Sequence, residues 1–568
     1  MSPANNPDPK MPGREKYKPY HEQFETRLPD RTWPDQLILK SPAWCSVDLR
    51  DGNQALRCPM SVERKLEFYK TLLDVGFRQI EIGYPAASEV EREFARALIE
   101  EQRIPVGVKP QVLTATREDL VRATLASIRG GPETIVHVYN STSKTQREKV
   151  FRMSKDETME RAVLATKLVR SLSNMGDVPV HYQYSPESFT ATERNFALDV
   201  CNAVIEAWEP RHDSPIIINL PSTVELSTPN AYADLIEWMS RGLKHRDRVV
   251  LSVHPHNDRG TSVAAAELAL MAGAQRVEGT VFGFGERAGN CDLVQLAENI
   301  RIGFGVDHNL DLRDIPHLRA VYERCTGEVV PHRHPVAGDS AYVAYSGTHQ
   351  LAISRCLEER RASGNVAWDI SYLPRDPEDV GMSYKPIVIN SQSGRNGQMW
   401  VFREELKMDI PKWMEASVTE AVQTWCNATG QDASPEKMRS LFDARFVFTK
   451  GPFHLRSLKH LEPSVPSDFV EVELQLAVND RIVTERGRGN GLMSAAANAL
   501  KPLGVEVNVL DYSSDALGTG SEASAIAYVR LRCDGKEAFG AGINTNTELV
   551  GVEAMISAVN SVRGRTAS

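Results

Sequence analysis

Short β-like runs alternate with longer amphipathic segments through the first half of the chain. The runs at 45–49, 79–83, 111–114, 134–139, 180–184, 216–220, 249–254 and 276–281 predict strands. The segments at 62–75, 88–101, 117–128, 155–173, 192–208, 229–241, 262–272 and 292–302 predict helices. Eight strands and eight helices in strict alternation over about 260 residues predict an α/β fold, a (β/α)8 or TIM barrel. A doubly wound open sheet is the alternative. It usually has fewer strands and needs a glycine-rich phosphate loop after the first strand, where this chain has none.

Beyond the barrel the pattern changes twice. Residues 306–430 are punctuated by His, Pro and Arg, with helical segments near 340–363 and 411–430, and predict a linker of two small helical subdomains. After about 435 an internal repeat appears. A strand at 469–478, a turn at Asn479-Asp480 and a strand at 481–486 lead through Gly487-Arg488-Gly489-Asn490-Gly491 into a helix at 492–500. A strand at 524–533, a turn at Asp534-Gly535 and a strand at 536–542 lead into a helix at 548–562. The predicted division is an N-terminal arm (1–40), the barrel (41–306), the linker (307–434) and a C-terminal α/β domain (435–568).

Composition narrows the class. At 568 residues, 41% hydrophobic and 25% charged, the chain has the balance of a multi-domain soluble protein with a sizeable core. A net charge of −9 with scattered basic residues gives no footprint for nucleic acid or an anionic membrane. No apolar run approaches the roughly 18 residues needed to cross a bilayer. The eight cysteines form no C-x-x-C pair, which points to reduced thiols in a cytosolic protein rather than disulfides or structural zinc. The arm is polar and proline-rich, without the apolar core of a secretion signal.

A barrel of this kind carries its chemistry at the C-terminal ends of its strands. There the sequence places Arg50 and Asp51, Glu81 and Tyr84, His137 and Asn140, Ser185 and Glu187, Thr223, His254 and His256, and the stretch from Gly283 to Asn290. His254 and His256 are two apart on a strand and point to one side. With Asp51 from the neighbouring first strand they form a site of two imidazoles and one carboxylate for a divalent cation, leaving room for a bidentate substrate. Glu187 suits proton transfer but also fits an ordinary loop glutamate. The glycines of 283–289, spaced G-x-G-x-x-x-G, miss the dinucleotide fingerprint.

Three stretches taken together resemble a known family. They are Val47-Asp48-Leu49-Arg50-Asp51-Gly52-Asn53-Gln54, His254-Pro255-His256-Asn257-Asp258-Arg259-Gly260 and Gly283-Phe284-Gly285-Glu286-Arg287-Ala288-Gly289-Asn290. They are similar to the signatures of the acyl-CoA-using Claisen-condensation family. That family includes the isopropylmalate, homocitrate and citramalate synthases, with hydroxymethylglutaryl-CoA lyases as distant relatives. Ser346-Gly347-Thr348-His349-Gln350 and Asn390-Ser391-Gln392-Ser393-Gly394 resemble the longer subclass of isopropylmalate synthases.

The resemblance implies a divalent metal (Mg²⁺, with Mn²⁺ or Zn²⁺ as alternatives) on Asp51, His254 and His256, with Asn290 as a further ligand. It implies acetyl-CoA and 2-oxoisovalerate as substrates, Arg50 against the reacting keto oxygen, and His137, Ser185, Thr223 and Asn290 around the keto acid. Glu187, His349 and Tyr372 are the acid–base candidates, and His349 would reach the partner's site in a homodimer. In the C-terminal repeat the resemblance implies leucine as a feedback inhibitor, held by Gly489, Asn490, Gly491, Val509, Tyr512, Ala516, Ala523 and Ile543. Val509 and Ile543 also suit a hydrophobic core. Citramalate synthase, taking pyruvate, is the main alternative, and homocitrate synthase a lesser one. A non-catalytic amino-acid sensor is a third, opposed by the intact set of Asp51, His254 and His256.

Overall fold

The computed structural model of the chain describes residues 18–25, 27–175, 179–384, 389–390, 393–461, 468–479, 481–517 and 523–564. Residues 1–17 and 26 of the predicted arm, Ser391 and Gln392 of the linker motif, and Asp480 of the predicted turn lie outside them. The chain divides into two compact units, Met1–Ala341 with Pro377–Ser383, and Tyr342–Asp376 with Tyr384–Ser568. The stretch predicted as linker is shared between them.

In the first unit eight parallel strands close into a barrel in sequence order. They are β1 (Ala43–Ser46), β2 (Gln79–Gly83), β3 (Lys109–Ala115), β4 (Thr134–Ser141), β5 (Val180–Glu187), β6 (Ile216–Ser222), β7 (Val249–Pro255) and β8 (Arg276–Gly279). β8 pairs back onto β1, with Cys45 opposite Glu278. The helices that follow the strands are α1 (Val62–Val75), α2 (Glu89–Glu100), α3 (Glu118–Ser127), α4 (Lys155–Met175), α5 (Arg194–Trp208), α6 (Pro229–Gly242), α7 (Ser262–Met271) and α8 (Leu293–Phe304). Local chemistry fixes their ends: the Ser61 hydroxyl accepts from the Arg64 amide at the start of α1, and Gly76 closes it in the left-handed region (φ 108°).

The barrel is apolar outside and polar inside. Ile80, Ile82, Val112, Val136, Val138, Ile218, Leu220 and Val253 are buried under the helices. The alternate positions, Glu81, Gln111, His137, Gln183, Asn219, His254, Arg276 and Glu278, are equally buried and hydrogen-bond one another across the lumen.

Two strands end earlier than predicted. β1 stops at Ser46, and Asp48–Gly52 winds into one helical turn closed by the Gly52 amide donating to the Val47 carbonyl (3.1 Å). β8 stops at Gly279, where an added Cβ would lie 2.4 Å from the Cys291 carbonyl oxygen. Both ends are bound by one group: the Asp48 carboxylate accepts from the Ser46 hydroxyl (2.6 Å) and from the Val281 amide (2.9 Å).

The second unit contains the helices Gly347–Ser363 and Glu415–Thr429, and then the repeat. Each half of the repeat is a three-stranded antiparallel sheet with a helix on one face. β9 (Phe453–Leu461), β10 (Val470–Val478) and β11 (Arg481–Gly489) carry α9 (Leu492–Ala499). β12 (Val507–Leu517), β13 (Ser524–Cys533) and β14 (Lys536–Asn544) carry α10 (Thr547–Arg563). The hairpins were predicted; the leading strands β9 and β12 were not.

Helix and sheet touch through equivalent Gly-x-Gly pairs. A Cβ on Gly487 would lie 2.0 Å from the Ala495 carbonyl oxygen, and one on Gly489 would lie 2.0 Å from the Ser494 hydroxyl. In the second half, a Cβ on Gly540 or Gly542 would lie 2.2 Å from the carbonyl oxygen of Ala554 or Val550. Gly540→Ala therefore forces helix and sheet apart, at an expected cost of about 1–3 kcal/mol. Denaturant unfolding measures it, and unchanged stability would show that α10 sits less rigidly than described.

Candidate active site

The side chains predicted at the strand ends converge at one end of the barrel. The rings of His254 and His256 stack at 5.1 Å with 8° between planes, so the predicted common orientation holds. Asp51 Oδ2 is 3.6 Å from His254 Nε2 and 3.8 Å from His256 Nε2, and it is buried with no hydrogen-bond partner. Asn290 presents Oδ1 to His254 Nε2 at 2.8 Å, because its Nδ2 donates to the Phe284 carbonyl (3.1 Å). Asp51, His254 and His256 thus offer one carboxylate oxygen and two imidazole nitrogens within 4.8 Å of one another, with Asn290 Oδ1 beside His254, and an orphaned carboxylate oxygen among them fits a divalent cation.

The loops hold these groups from behind. Asn290 N donates to the Gly283 carbonyl (3.0 Å) across a turn that brings Gly289 so close that a Cβ would lie 1.9 Å from that oxygen. Arg287 donates from Nε to Asp258 (2.7 Å) and from NH2 to the Thr223 carbonyl (2.5 Å), tying the loops after β6, β7 and β8 together.

Arg50 crosses the site. Its Nε donates to Glu81 Oε2 and its NH1 to Asp51 Oδ1, each at 2.5 Å. Glu81 Oε1 meets His137 Nδ1 (2.8 Å), and His137 Nε2 meets the Ser185 hydroxyl (2.7 Å). Burial by itself raises the Asp51 carboxyl, but Arg50 and the two imidazoles outweigh it and hold the group well below the usual carboxylate range. Burial pulls His254 down, yet Asp51 and Glu278 overcome it and push the ring up to about 10, whereas burial wins at His256, which falls to about 4.

A cleft of about 320 Å³ opens above these groups. His137, Ser185, Glu187 and Thr223 line it, with Leu113, Tyr139 and Pro221 beside them, whereas Asn290, the other residue expected around the keto acid, does not. Glu187 accepts a short hydrogen bond from the Ser141 hydroxyl on the adjoining strand.

Asp48 stands behind the site and has a titration of its own. Burial pushes its carboxyl up to about 7, with the Ser46 hydroxyl and the Val281 amide pulling the other way. In the unfolded chain the group titrates near pH 4. Its neutral form therefore stabilises the fold fully below about pH 4, and that contribution, at most about 4 kcal/mol, is lost as pH rises through about 7. Asp48→Asn is expected to flatten the pH dependence of denaturant stability between about pH 5 and 8. A slope equal to that of the parent protein would exclude Asp48 as its origin.

His349 and Tyr372 belong to the second unit, where their rings stack at 3.8 Å and 16°. His349 is exposed, and Tyr372 is 57% exposed with its backbone in the left-handed region (φ 64°), a strained conformation that clusters at functional positions. In the repeat, Asn490, Gly491, Val509 and Tyr512 share a cavity of about 690 Å³ with Leu492, Met493 and Glu548. The other predicted binding residues do not line it: Gly489 packs on Ser494, Ala516 pairs with Ala525, Ile543 packs with the helical core, and Ala523 precedes β13.

The sequence reading missed the layer beneath the site. Arg276, Glu278, Gln111 and Asn219 are buried at period-two positions, the same signal that identified His254 and His256. Among the described residues no helix is long and apolar enough to cross a membrane, and all eight cysteines are free.

Three family models match the chain: HMGL-like over residues 41–321, alpha-isopropylmalate synthase post-catalytic domain-like over 339–403, and LeuA allosteric (dimerisation) domain over 432–563. The 2-isopropylmalate synthase of Kineococcus radiotolerans is 43% identical over 561 residues, covering 96% of this chain and 97% of its own length. The 2-isopropylmalate synthases of Agrobacterium fabrum (43%, covering 96% and 98%) and Mesorhizobium japonicum (44%, covering 97% and 99%) are similar along the same span.

Proposed function

This chain belongs to the 2-isopropylmalate synthase family, and on that premise we propose that it condenses acetyl-CoA with 2-oxoisovalerate and water, giving (2S)-2-isopropylmalate and CoA. It is an acyltransferase whose acyl group becomes an alkyl group on transfer, acting at the first committed step of leucine biosynthesis. The observation that carries this reading is the orphaned Asp51 oxygen between two imidazole nitrogens, with the Arg50 guanidinium alongside.

Asp51, His254, His256 and Asn290 would hold a divalent cation, Mg²⁺ in our reading, with Mn²⁺ or Zn²⁺ also suited to two nitrogens and two oxygens. When bound, the cation supplies Lewis acidity to a keto oxygen. Arg50 is held by Glu81 and Asp51 through Nε and NH1, so its NH2 is left to donate to the oxygen that gains negative charge. His137, Ser185 and Thr223 take the keto acid's polar end, and Leu113, Tyr139 and Pro221 face its branched side chain.

A base removes a proton from the acetyl methyl group, and the methyl carbon bonds to the keto carbon as the C=O π pair moves onto the keto oxygen. That oxygen takes a proton from an acid to become the product hydroxyl, and water then cleaves the thioester C–S bond to release CoA and leave a carboxylate. Glu187 is the acid–base candidate within the barrel. We assign His349 and Tyr372 to the same chemistry, supplied by the partner subunit of a homodimer. Their exposed, strained stack supports a role outside their own unit's core.

We further propose that leucine inhibits through the C-terminal repeat. Its cavity combines apolar Leu492, Met493 and Val509 with polar Asn490 and Glu548, which suits an apolar amino acid. The free cysteines support a cytoplasmic enzyme. Thiol release from acetyl-CoA, followed with 2-oxoisovalerate and with pyruvate, each with and without leucine, tests the reading. Turnover should be faster with 2-oxoisovalerate and fall with leucine. Faster turnover with pyruvate would make the protein a citramalate synthase.

A further inference from the structure

Glu278 sits at mid-barrel on β8, with no exposed surface. It does not line the cleft, so it cannot touch substrate there. Five donors from five strands converge on it. Oε2 accepts from His254 Nδ1 (2.8 Å) and Asn219 Nδ2 (3.0 Å). Oε1 accepts from Gln183 Nε2 (2.7 Å), Arg276 NH1 (2.8 Å) and Gln111 Nε2 (2.9 Å). All three carboxamides offer their nitrogen ends, the arrangement an acceptor-only carboxylate requires. Arg276, itself fully buried, is fixed in turn by Gln79 (2.6 Å), Gln111 (2.7 Å) and Ser252 (2.8 Å).

We propose that Glu278 is a positioning residue for the metal site: it accepts the Nδ1–H of His254, so that Nε2, which faces Asp51 and Asn290, is the nitrogen that would give its lone pair to a bound cation in place of its proton. Arg276 balances its charge. The inference rests on the reading of Asp51, His254 and His256 as a cation site. A carboxylate behind a ligating histidine fixes the tautomer and the ring plane, and strengthens the nitrogen that faces the cation. Here the carboxylate is saturated by donors on β3, β5, β6, β7 and β8, so it cannot swing away from the imidazole, and the ring is aimed by the barrel wall.

The test is titration of Mn²⁺ into metal-stripped full-length protein, followed by calorimetry or the loss of the free-ion EPR signal. Glu278→Gln keeps the volume, removes the charge, and turns a nitrogen toward donors that already point at it. Its Mn²⁺ affinity should fall about 10–100-fold. Glu278→Asp should recover part of the loss. The pair Glu278→Gln with Arg276→Gln removes both charges; it should restore the thermal midpoint while Mn²⁺ affinity stays low. That outcome separates positioning of His254 from simple charge balance. Wild-type affinity in folded Glu278→Gln, or in the double variant, would overturn the inference and leave the metal reading standing. Failure of the parent protein to bind Mn²⁺, or parental affinity in His254→Ala, would instead overturn the metal reading and the inference with it.

Discussion

Arg50→Gln is expected to lower kcat by about 10²–10³-fold, the effect of deleting one fixed donor aimed at developing negative charge. The guanidinium is 10% exposed and pinned at Nε by Glu81 and at NH1 by Asp51. It therefore needs no reorganisation as charge appears on the substrate. Glutamine fills part of the volume but reaches only one of these partners and brings no positive charge. The keto-acid KM should change far less than kcat, because the contact strengthens as the reaction proceeds. Lysine should not restore the rate: a point ammonium cannot bridge two carboxylates and still face the cleft. Steady-state kinetics with saturating acetyl-CoA decide it, and a kcat within a few-fold of the parent would remove Arg50 from the reacting oxygen.

Lys65→Met is expected to destabilise the barrel by about 3–5 kcal/mol, the usual result of removing one partner from a buried ion pair. Lys65 lies on α1 with a fully buried side chain. Its Nζ donates to the Leu49 carbonyl (2.8 Å), pairs closely with Glu91, and lies 5.1 Å above the Phe94 ring. Burial lowers its pKa and Glu91 works against that fall. Glu91 also accepts from the Tyr84 amide (3.2 Å) and Asn53 Nδ2 (3.4 Å). One pair of charges therefore holds the turn carrying Arg50 and Asp51 against the loop after β2. Urea denaturation gives the cost. Lys65→Met combined with Glu91→Gln should recover part of it, since no lone carboxylate stays buried. Additive losses would show that the pair is not coupled.

The barrel was legible because its outer layer follows the ordinary rule, with apolar runs at each strand and amphipathic helices between them. His254 and His256 were legible for the same geometric reason, a spacing of two on one strand. Arg276 and Glu278 have that spacing too, yet a polar alternate face on a strand normally means water, and here it means the lumen. Nothing in the local pattern distinguishes the two; the closed sheet does. Lys65 escaped because a charged residue on a helix ordinarily faces solvent.

The strands β9 and β12 escaped for a different reason. The pairing of β9 with β10 slips by one residue at Arg456, so Leu455 and Leu458 both reach the core at a helix-like spacing of three. β12 slips likewise at Leu510, between Val509 and Asp511. A bulge breaks the period of two that identifies a strand, and both halves of the repeat carry one in the strand that leads.

The polar lumen also dictates an order of events during synthesis. Gln111, Gln183, Asn219 and His254 leave the ribosome on β3, β5, β6 and β7, and all four aim at a carboxylate on β8. Until residue 278 has emerged and β8 has zipped onto β1, the lumen must keep its water. A dry interior would leave the Gln183 amide and the His254 Nδ1–H unpaired, and Gln111 and Asn219 with only Glu81 and Ser185 to accept from them. A nascent chain stalled after its seventh strand is thus an open, hydrated sheet with its outer apolar face already in search of cover, the form most exposed to aggregation. The arrival of one glutamate turns that intermediate into a closed shell, so expulsion of water, barrel closure and completion of the candidate metal site become a single cooperative event.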